Sequence, residues 1–350
     1  MIVLKIIAIV LGILIGLIIL YLIIVIFFPG FDVEKQPLQV SISDTGINNF
    51  KPPESRREVS FEVSGTLINA WQYMPENTST PVPCIIMSNG FGGTKDMLLE
   101  SYALRFVKAG MAVLAIDYRY FGQSKGEPRQ LFLISKQLED CSAAIEFARG
   151  IKNINPDRIA MWGTSASGGY GVITAARDKR IACVCGQCPA LDIHTDGKLA
   201  VEREGIWFFL RLFMHAQRDM GRSRFGLPAH KIPIVGKPGS LAMINASGVM
   251  EGYSKLAGPG FVNEVCTRGM LRTHGYNPVD YAKDVQCPVL IQACEKDNLV
   301  SLNSVFKTAK KLGEYAEVKK YPIGHFDIYT GENFEKSVTD QITFFRKHLF

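Results

Sequence analysis

The 350-residue sequence has no cluster of basic residues, no internal repeat and no low-complexity tract beyond its amino terminus. Its 39 lysines and arginines are scattered among 33 acidic residues, for a net charge of +6, so the continuous basic face that nucleic acid requires is not expected. Neither Gly-Lys-Ser/Thr nor Gly-x-Gly-x-x-Gly occurs, which excludes the familiar phosphate-cradling loops. With 47% apolar and 21% charged residues the chain is not disordered, and 32 glycines and 17 prolines without a period exclude collagen. The one imbalance is hydrophobic and local. Ile2 to Phe28 contains 24 apolar residues out of 27, interrupted by Lys5, Gly12 and Gly16. Without residues 1–28 the apolar share is about 43%, the level of a soluble domain.

From Ile6 to Phe28 run 23 uncharged residues. As a helix rising about 1.5 Å per residue they reach roughly 34 Å, enough to cross a hydrocarbon core near 30 Å. A cleavable signal peptide has a shorter apolar core and ends in a small-x-small site. Here Ile-Ile-Val-Ile-Phe-Phe runs straight into Pro29, so residues 1–28 are expected to be an uncleaved single-pass transmembrane anchor. The amino group and Lys5 precede the span, while Asp32, Glu34 and Lys35 follow it. The positive-inside rule then puts the catalytic bulk on the extracytoplasmic or lumenal side of the membrane. Of the eight cysteines, Cys84, Cys183, Cys185 and Cys294 stand in apolar strand-like runs and read as buried thiols. Asn77-Thr-Ser and Asn245-Ala-Ser fit the glycosylation acceptor pattern.

A linker over residues 29–57, with Pro37, Pro52 and Pro53, leads to two alternating segments, Glu58 to Val63 and Thr66 to Tyr73. They flank Ser64-Gly65 and read as a hairpin. The pattern then becomes apolar strand, turn, amphipathic helix. It gives Cys84 to Ser88 before a helix near 95–109, Met111 to Ile116 before one near 135–149, and Arg158 to Trp162 before one near 166–177. Further strands are expected at Ile181 to Gly186, Val289 to Ala293 and Glu317 to Tyr321. Strands buried on both faces and joined by helices imply an α/β fold with a mostly parallel, doubly wound sheet. About residues 190–280 lack strand alternation and are too long for a structureless loop, so they read as a helical cap insertion over one end of the sheet.

Arg158-Ile-Ala-Met-Trp-Gly-Thr-Ser-Ala-Ser-Gly-Gly sets Ser165 directly after a strand and directly before a helix, the place of a nucleophile elbow. Positions two before and two after such a serine must be small, as Gly163 and Ser167 are. A serine hydroxyl needs a base, and the base needs an orienting carboxylate. His325 follows the last strand and precedes the last helix. Asp297 lies in the loop after the preceding strand, with Glu295 a less mobile substitute. The remaining histidines, His194, His215, His230, His274 and His348, fall in the insertion or the terminal helix. An oxyanion needs two backbone donors; those expected are the amides of Ala166, at the helix start, and Phe91, in the glycine-rich Asn89-Gly-Phe-Gly-Gly loop.

From about residue 58 to the end, the sequence resembles the α/β-hydrolase superfamily. Four motifs carry the likeness: Asn89 to Asp96; Asp117-Tyr-Arg-Tyr-Phe-Gly-Gln-Ser-Lys-Gly; Trp162-Gly-Thr-Ser-Ala-Ser-Gly-Gly; and Gly324-His-Phe-Asp-Ile-Tyr. They look like the group containing bacterial dienelactone-hydrolase-like proteins and fungal polyketide transferases. The resemblance implies Ser165 as nucleophile, Asp297 as acid, His325 as base, and Phe91 and Ala166 as oxyanion donors. Two departures are Asn89, where many members have histidine, and Ser167, where many have glycine. Asp117 matches the family pattern as well and is expected to anchor a turn, with Arg119 as its partner.

Cys183-x-Cys-x-x-Cys188 with His194 beyond it suits core packing better than zinc, so no metal and no organic cofactor is expected. The run Trp207 to Met214 is open to three roles: lining an acyl cavity, touching the bilayer, or forming the core of the cap. The expected protein is a membrane-anchored serine hydrolase of a small acyl substrate, an ester or thioester, with no nucleic-acid partner. A serine peptidase, an acyltransferase and a non-catalytic membrane-tethered binding protein are the alternatives.

Overall fold

The computed structural model describes residues 1–38, 53–76, 78–273 and 275–350. The part of the linker holding Pro52, the acceptor Asn77, and His274 lie outside the described residues.

Elements are numbered in chain order. The two alternating segments pair as β1 (Arg56–Val63) and β2 (Thr66–Tyr73), an antiparallel hairpin in register from Arg56 opposite Tyr73 to Val63 opposite Thr66. Ser64 and Gly65 both take positive φ, 49° and 76°, as a two-residue hairpin loop demands. The next strands are apolar throughout because both of their faces are covered. Every residue of β3 (Val82–Ser88), β4 (Ala112–Ile116) and β9 (Val289–Cys294) is buried, and in β6 (Ile181–Gln187) only Ala182 is not fully so. With β5 (Ile154–Thr164) and β10 (Ala316–Tyr321) they form an eight-stranded sheet of order β1-β2-β4-β3-β5-β6-β9-β10. It is antiparallel only where β2 meets β1 and β4.

Helices α2 (Leu99–Lys108) and α10 (Gly331–Leu349) pack together on one face of the sheet, while α3 (Ile134–Arg149) and α4 (Ala166–Arg177) pack together on the other; α9 (Leu302–Leu312) connects β9 to β10. Beneath α10, Gln341 Nε2 donates to Gln187 Oε1 (2.9 Å) and Gln292 Oε1 (2.6 Å), and its own oxygen accepts from Trp162 Nε1 at 3.1 Å. All four residues are fully buried, so this network ties three strands to the last helix.

Between β6 and β9 stands the insertion, with α5 (Ile193–Glu204), α6 (Ile206–Arg224), α7 (Val249–Leu256) and α8 (Pro278–Tyr281). It departs from the all-helical expectation in one respect, since β7 (Lys231–Ile232) pairs with β8 (Val265–Cys266). Two residues per strand are too few for an alternation to register in a sequence.

The amino-terminal helix α1 (Ile2–Phe27) is long and apolar enough to cross a membrane, and is buried only at Val25 and Ile26. Its carboxyl end rests on α6. Tyr21 Oη donates to Gln217 Oε1 (2.7 Å), and a Cβ at Gly221 would collide with Ile26. Arg218 Nη1 donates to the carbonyls of Val25 (2.6 Å) and Phe28 (3.0 Å), and Arg222 Nη1 to that of Ile26 (3.4 Å). The last carbonyls of a helix have no partner within it, and these guanidinium groups supply one. The chain after the helix also lies on the insertion, where Asn263 Nδ2 donates to the Gln36 carbonyl at 2.7 Å.

Candidate active site

β5 ends at Thr164 and α4 begins at Ala166, so Ser165 alone reverses the chain direction. Its φ of 54° and ψ of −120° are strained for a residue with a Cβ, and the surroundings hold them in place. The Ser165 N–H donates to the Gln187 carbonyl (2.9 Å), and its own carbonyl accepts from Gly168 (3.1 Å) and Ala190 (2.9 Å). A Cβ at Gly163 would stand 2.7 Å from the Gly168 nitrogen and nearer still to the Ser167 carbonyl, so only glycine fits there. Ser167 braces the turn. Its buried hydroxyl accepts from the Thr164 N–H (2.8 Å) and faces the carbonyls of Ser88 (2.8 Å) and Thr164 (2.9 Å), to either of which it can donate.

His325 occupies the turn after β10 and is only 4% exposed. Its Nδ1 lies 2.5 Å from Asp297 Oδ2. The other Asp297 oxygen accepts from the amides of Leu299 (2.8 Å) and Val300 (2.9 Å), which fixes the carboxylate. Burial by itself would push the imidazole pKa down; the Asp297 carboxylate outweighs it and holds the ring well above the ordinary histidine value. With Nδ1–H committed to the carboxylate, Nε2 is the free basic nitrogen. It faces Cys188 Sγ at 4.0 Å and makes no hydrogen bond to Ser165 Oγ among the described residues. That thiol lies 3.6 Å from Thr164 Oγ1, so the ring tip ends beside the residue preceding Ser165. Asp297 and His325 are thus joined directly. Ser165 is not yet bonded to the ring, and catalytic hydrogen bonds are often loose before substrate binds. Glu295 turns away toward Lys320, 3.3 Å from its ammonium.

Ser165, Phe91 and Ala166 line one cavity of about 340 Å³, a volume suited to a small molecule. Among the described residues neither the Phe91 nor the Ala166 amide has a protein acceptor. Asn89 closes the loop that presents Phe91: its Nδ2 donates to the carbonyls of Thr94 (2.9 Å) and Met97 (3.2 Å), and its Oδ1 accepts from Gly90 N–H at 2.8 Å. Tyr253 Oη donates to the Phe91 carbonyl at 2.9 Å, holding the following peptide of the same loop from the cap side. A groove of about 580 Å³ beside Ser64 and Glu146 is lined by none of the residues expected in the site.

Three features escape sequence reasoning. Cys188, weighed above only as a metal ligand, sits against His325; its place after the carboxyl end of β6 was the available signal. Asp196, in the first turn of α5, lines the cavity. Its Oδ1 accepts from the Ser301 amide (2.8 Å), while its buried Oδ2 has no hydrogen-bond partner among the described residues. Burial, with Asp192 and Asp297 nearby, raises its pKa to about 7. Nothing in the sequence distinguishes this aspartate from its neighbours. The third is a correction. Asp117 does anchor a turn, accepting from the Gln123 amide (2.8 Å), but its ion partner is Lys95 at 2.6 Å, while Arg119 pairs with Asp140 at 2.6 Å. Among the described residues no three His, Cys, Asp or Glu side chains are grouped to hold a metal ion.

The profile of the X-Pro dipeptidyl-peptidase family (S15) matches residues 64–220, less than half of the chain. Over 297 residues the chain is 38% identical to the quorum-quenching protein AidA of Acinetobacter baumannii, covering 84% of this chain and 96% of that one. The chain belongs to the α/β-hydrolase superfamily. This hydrolase is also 28% identical to the thiohydrolase apmlB of Arthrinium phaeospermum, over 76% of its own length and 89% of the relative. Among solved structures it is similar to the α/β-hydrolase GrgF from a Penicillium species, with a TM-score of 0.72 at 23% identity, covering 84% of this chain and 99% of that one. The hydrolase is accordingly an enzyme.

Proposed function

We propose that the enzyme is a membrane-anchored serine hydrolase that cleaves a carboxylic ester or thioester through an acyl-enzyme. Ser165 attacks the carbonyl and His325 Nε2 takes its proton. Asp297 orients the ring and stabilises the imidazolium, and the amides of Phe91 and Ala166 receive the oxyanion. His325 then returns the proton to the leaving group, and water releases the acid. The observation that carries this reading is the 2.5 Å contact of His325 with a carboxylate fixed by two amides, its ring tip facing the thiol that touches Thr164, next in the chain to a serine at φ 54° on the wall of a cavity. The thiohydrolase relative supports thioesters as substrates. A screen of p-nitrophenyl esters and acyl thioesters of graded chain length tests it. Turnover with a pre-steady-state burst of leaving group is expected, whereas no turnover of either class contradicts it.

A peptidase reading is favoured by the S15 match and predicts release of p-nitroaniline from X-Pro substrates. The cavity wall includes one acidic side chain, Asp196, to meet a substrate amine, and its raised pKa suits a neutral partner better than a fixed cation.

Helix α1 is read as a retained single-pass anchor, with the catalytic domain on the extracytoplasmic or lumenal side. The carbonyls that Arg218 and Arg222 cap support retention, because removing the helix would leave two guanidinium groups without those acceptors.

A further inference from the structure

We propose that the amino-terminal half of α6 is a second membrane contact, lying in the bilayer interface beside α1 and holding the mouth of the substrate cavity against the lipid. The inference rests on the reading of α1 as a retained anchor.

The two helices run in the same direction where they touch. Tyr21 meets Gln217, Ile26 meets Gly221 and Phe27 meets Phe225, whose rings are 5.1 Å apart. Moving back along α6 from Gln217 is therefore moving back along α1, toward the membrane that α1 enters. At about 1.5 Å per residue, Phe213 stands roughly 6 Å and Trp207 roughly 15 Å on the membrane side of Gln217 along the α6 axis. With the membrane surface level with the Tyr21–Gln217 pair, both positions fall within one leaflet of a hydrocarbon core of about 30 Å.

What this segment displays fits lipid. Trp207 is 77% exposed, Ile206 56%, and Leu210 and Phe213 48% each. Their spacing makes one stripe, with Leu210 four residues and Phe213 seven residues after Ile206. Arg211 is exposed within the same turn, placed to reach lipid phosphates. No residue from Trp207 to Met214 lines the cavity, and of that run only Leu212 is fully buried, so the exposed ones serve neither substrate nor core. Four large apolar side chains on one short helix, level with a membrane span, are accounted for by a lipid surface.

The position of this face bears on substrate. Helix α5 covers the cavity with Ile193, Asp196, Gly197 and Ala200 on its wall, has no buried residue, and joins α6 through Gly205 alone (φ 78°). With Trp207 in the interface, the gap beneath α5 opens toward acyl compounds dissolved in the leaflet, and an amphiphilic ester or thioester is the substrate class favoured.

The full chain in phosphatidylcholine vesicles, with and without a nitroxide near the headgroup end of the acyl chains, tests this. The difference in emission between the unaltered chain and Trp207→Phe reports Trp207 alone. Strong quenching of that difference signal by the nitroxide lipid is expected. A signal untouched by the nitroxide overturns the proposal, and if it is accompanied by cross-linked dimers through α6, the face belongs to a second copy instead. In a second measurement Leu210→Asp/Phe213→Asp should lower turnover of a long-chain ester embedded in vesicles roughly tenfold, while a soluble short-chain ester is unaffected. An equal loss on both substrates counts against the proposal. If the unaltered chain hydrolyses neither ester, it is the hydrolase reading that has failed, and the quenching result still decides the membrane contact.

Discussion

At the scale of single residues, the site is a set of groups whose neighbours set their protonation. His325 is buried, yet its pKa is raised, because the Asp297 carboxylate favours imidazolium more strongly than burial disfavours it. The base must be neutral to act, so kcat/KM should rise with pH along a limb whose midpoint lies above the ordinary histidine value of about 6.5. Asp297→Asn removes the opposing charge; its limb should move to lower pH while kcat falls by roughly 10³- to 10⁴-fold. A limb that stays put in the variant would show that Asp297 does not set the base. Asp196 is raised for a different reason, chiefly burial, and its sign for stability follows. A carboxyl whose pKa is higher folded than unfolded stabilises the fold below about 4, and that contribution is lost as pH rises toward about 7. Asp196→Asn keeps an acceptor for the Ser301 amide and has no charge to bury. It should exceed the unaltered protein in stability at pH 8 by about 1 to 3 kcal/mol and lose that advantage by pH 4, as read from denaturant midpoints.

Elements carry the site to its position. The elbow works because β5 and α4 meet with one residue between them, and Gly163, Ser167 and Gly168 let them come that close. Gly163→Ala should therefore cost activity out of proportion to its size and lower the denaturant midpoint, whereas Ser167→Ala should lose about 1 to 3 kcal/mol through the unsatisfied Thr164 amide. Much of this level was legible beforehand. β3, β4 and β9 are apolar on both faces, and β1 and β2 alternate around a Ser-Gly turn, so length and period identified each. The placing of Ser165, Asp297 and His325 just after β5, β9 and β10 could be read for the same reason. What stayed hidden depends on contacts distant along the chain. The partner of Asp117 is Lys95, 22 residues earlier, where adjacency suggested Arg119. The strands β7 and β8 exist only because the insertion folds back on itself. Asp196 and Cys188 gain meaning from what surrounds them, and the sequence around each looks ordinary. Gln341 belongs with these. Gln341→Leu should destabilise the fold by about 2 to 4 kcal/mol, since Trp162 Nε1, Gln187 and Gln292 would all lose a buried partner. A change under 0.5 kcal/mol would mean that the network is dispensable.

For the whole molecule, the greasy excess of the composition and the catalytic unit prove to be physically joined. Helix α1 does not merely precede the sheet; its last carbonyls are held by Arg218 and Arg222 of α6, and Gln36 is held by Asn263. The segment that carries α6 also supplies α5, the roof of the cavity. The amino-terminal helix, the cap and the cavity are thus consecutive links. If α1 is the proposed anchor, the mature protein should retain residues 1–28, with alkaline carbonate failing to release it from membranes and peptide mapping recovering the helix. A soluble protein beginning after Phe28 would contradict that arrangement while leaving the chemistry at Ser165 intact. The chemistry is the central claim, and it is tested most directly by treating the full chain with a fluorophosphonate and mapping the adduct by mass spectrometry. The account predicts one phosphonylated residue, Ser165, with loss of all ester and thioester turnover in step with labelling, and no adduct in Asp297→Asn on the same timescale. A folded protein left unlabelled at Ser165, or one that keeps its turnover once Ser165 is fully modified, would contradict it.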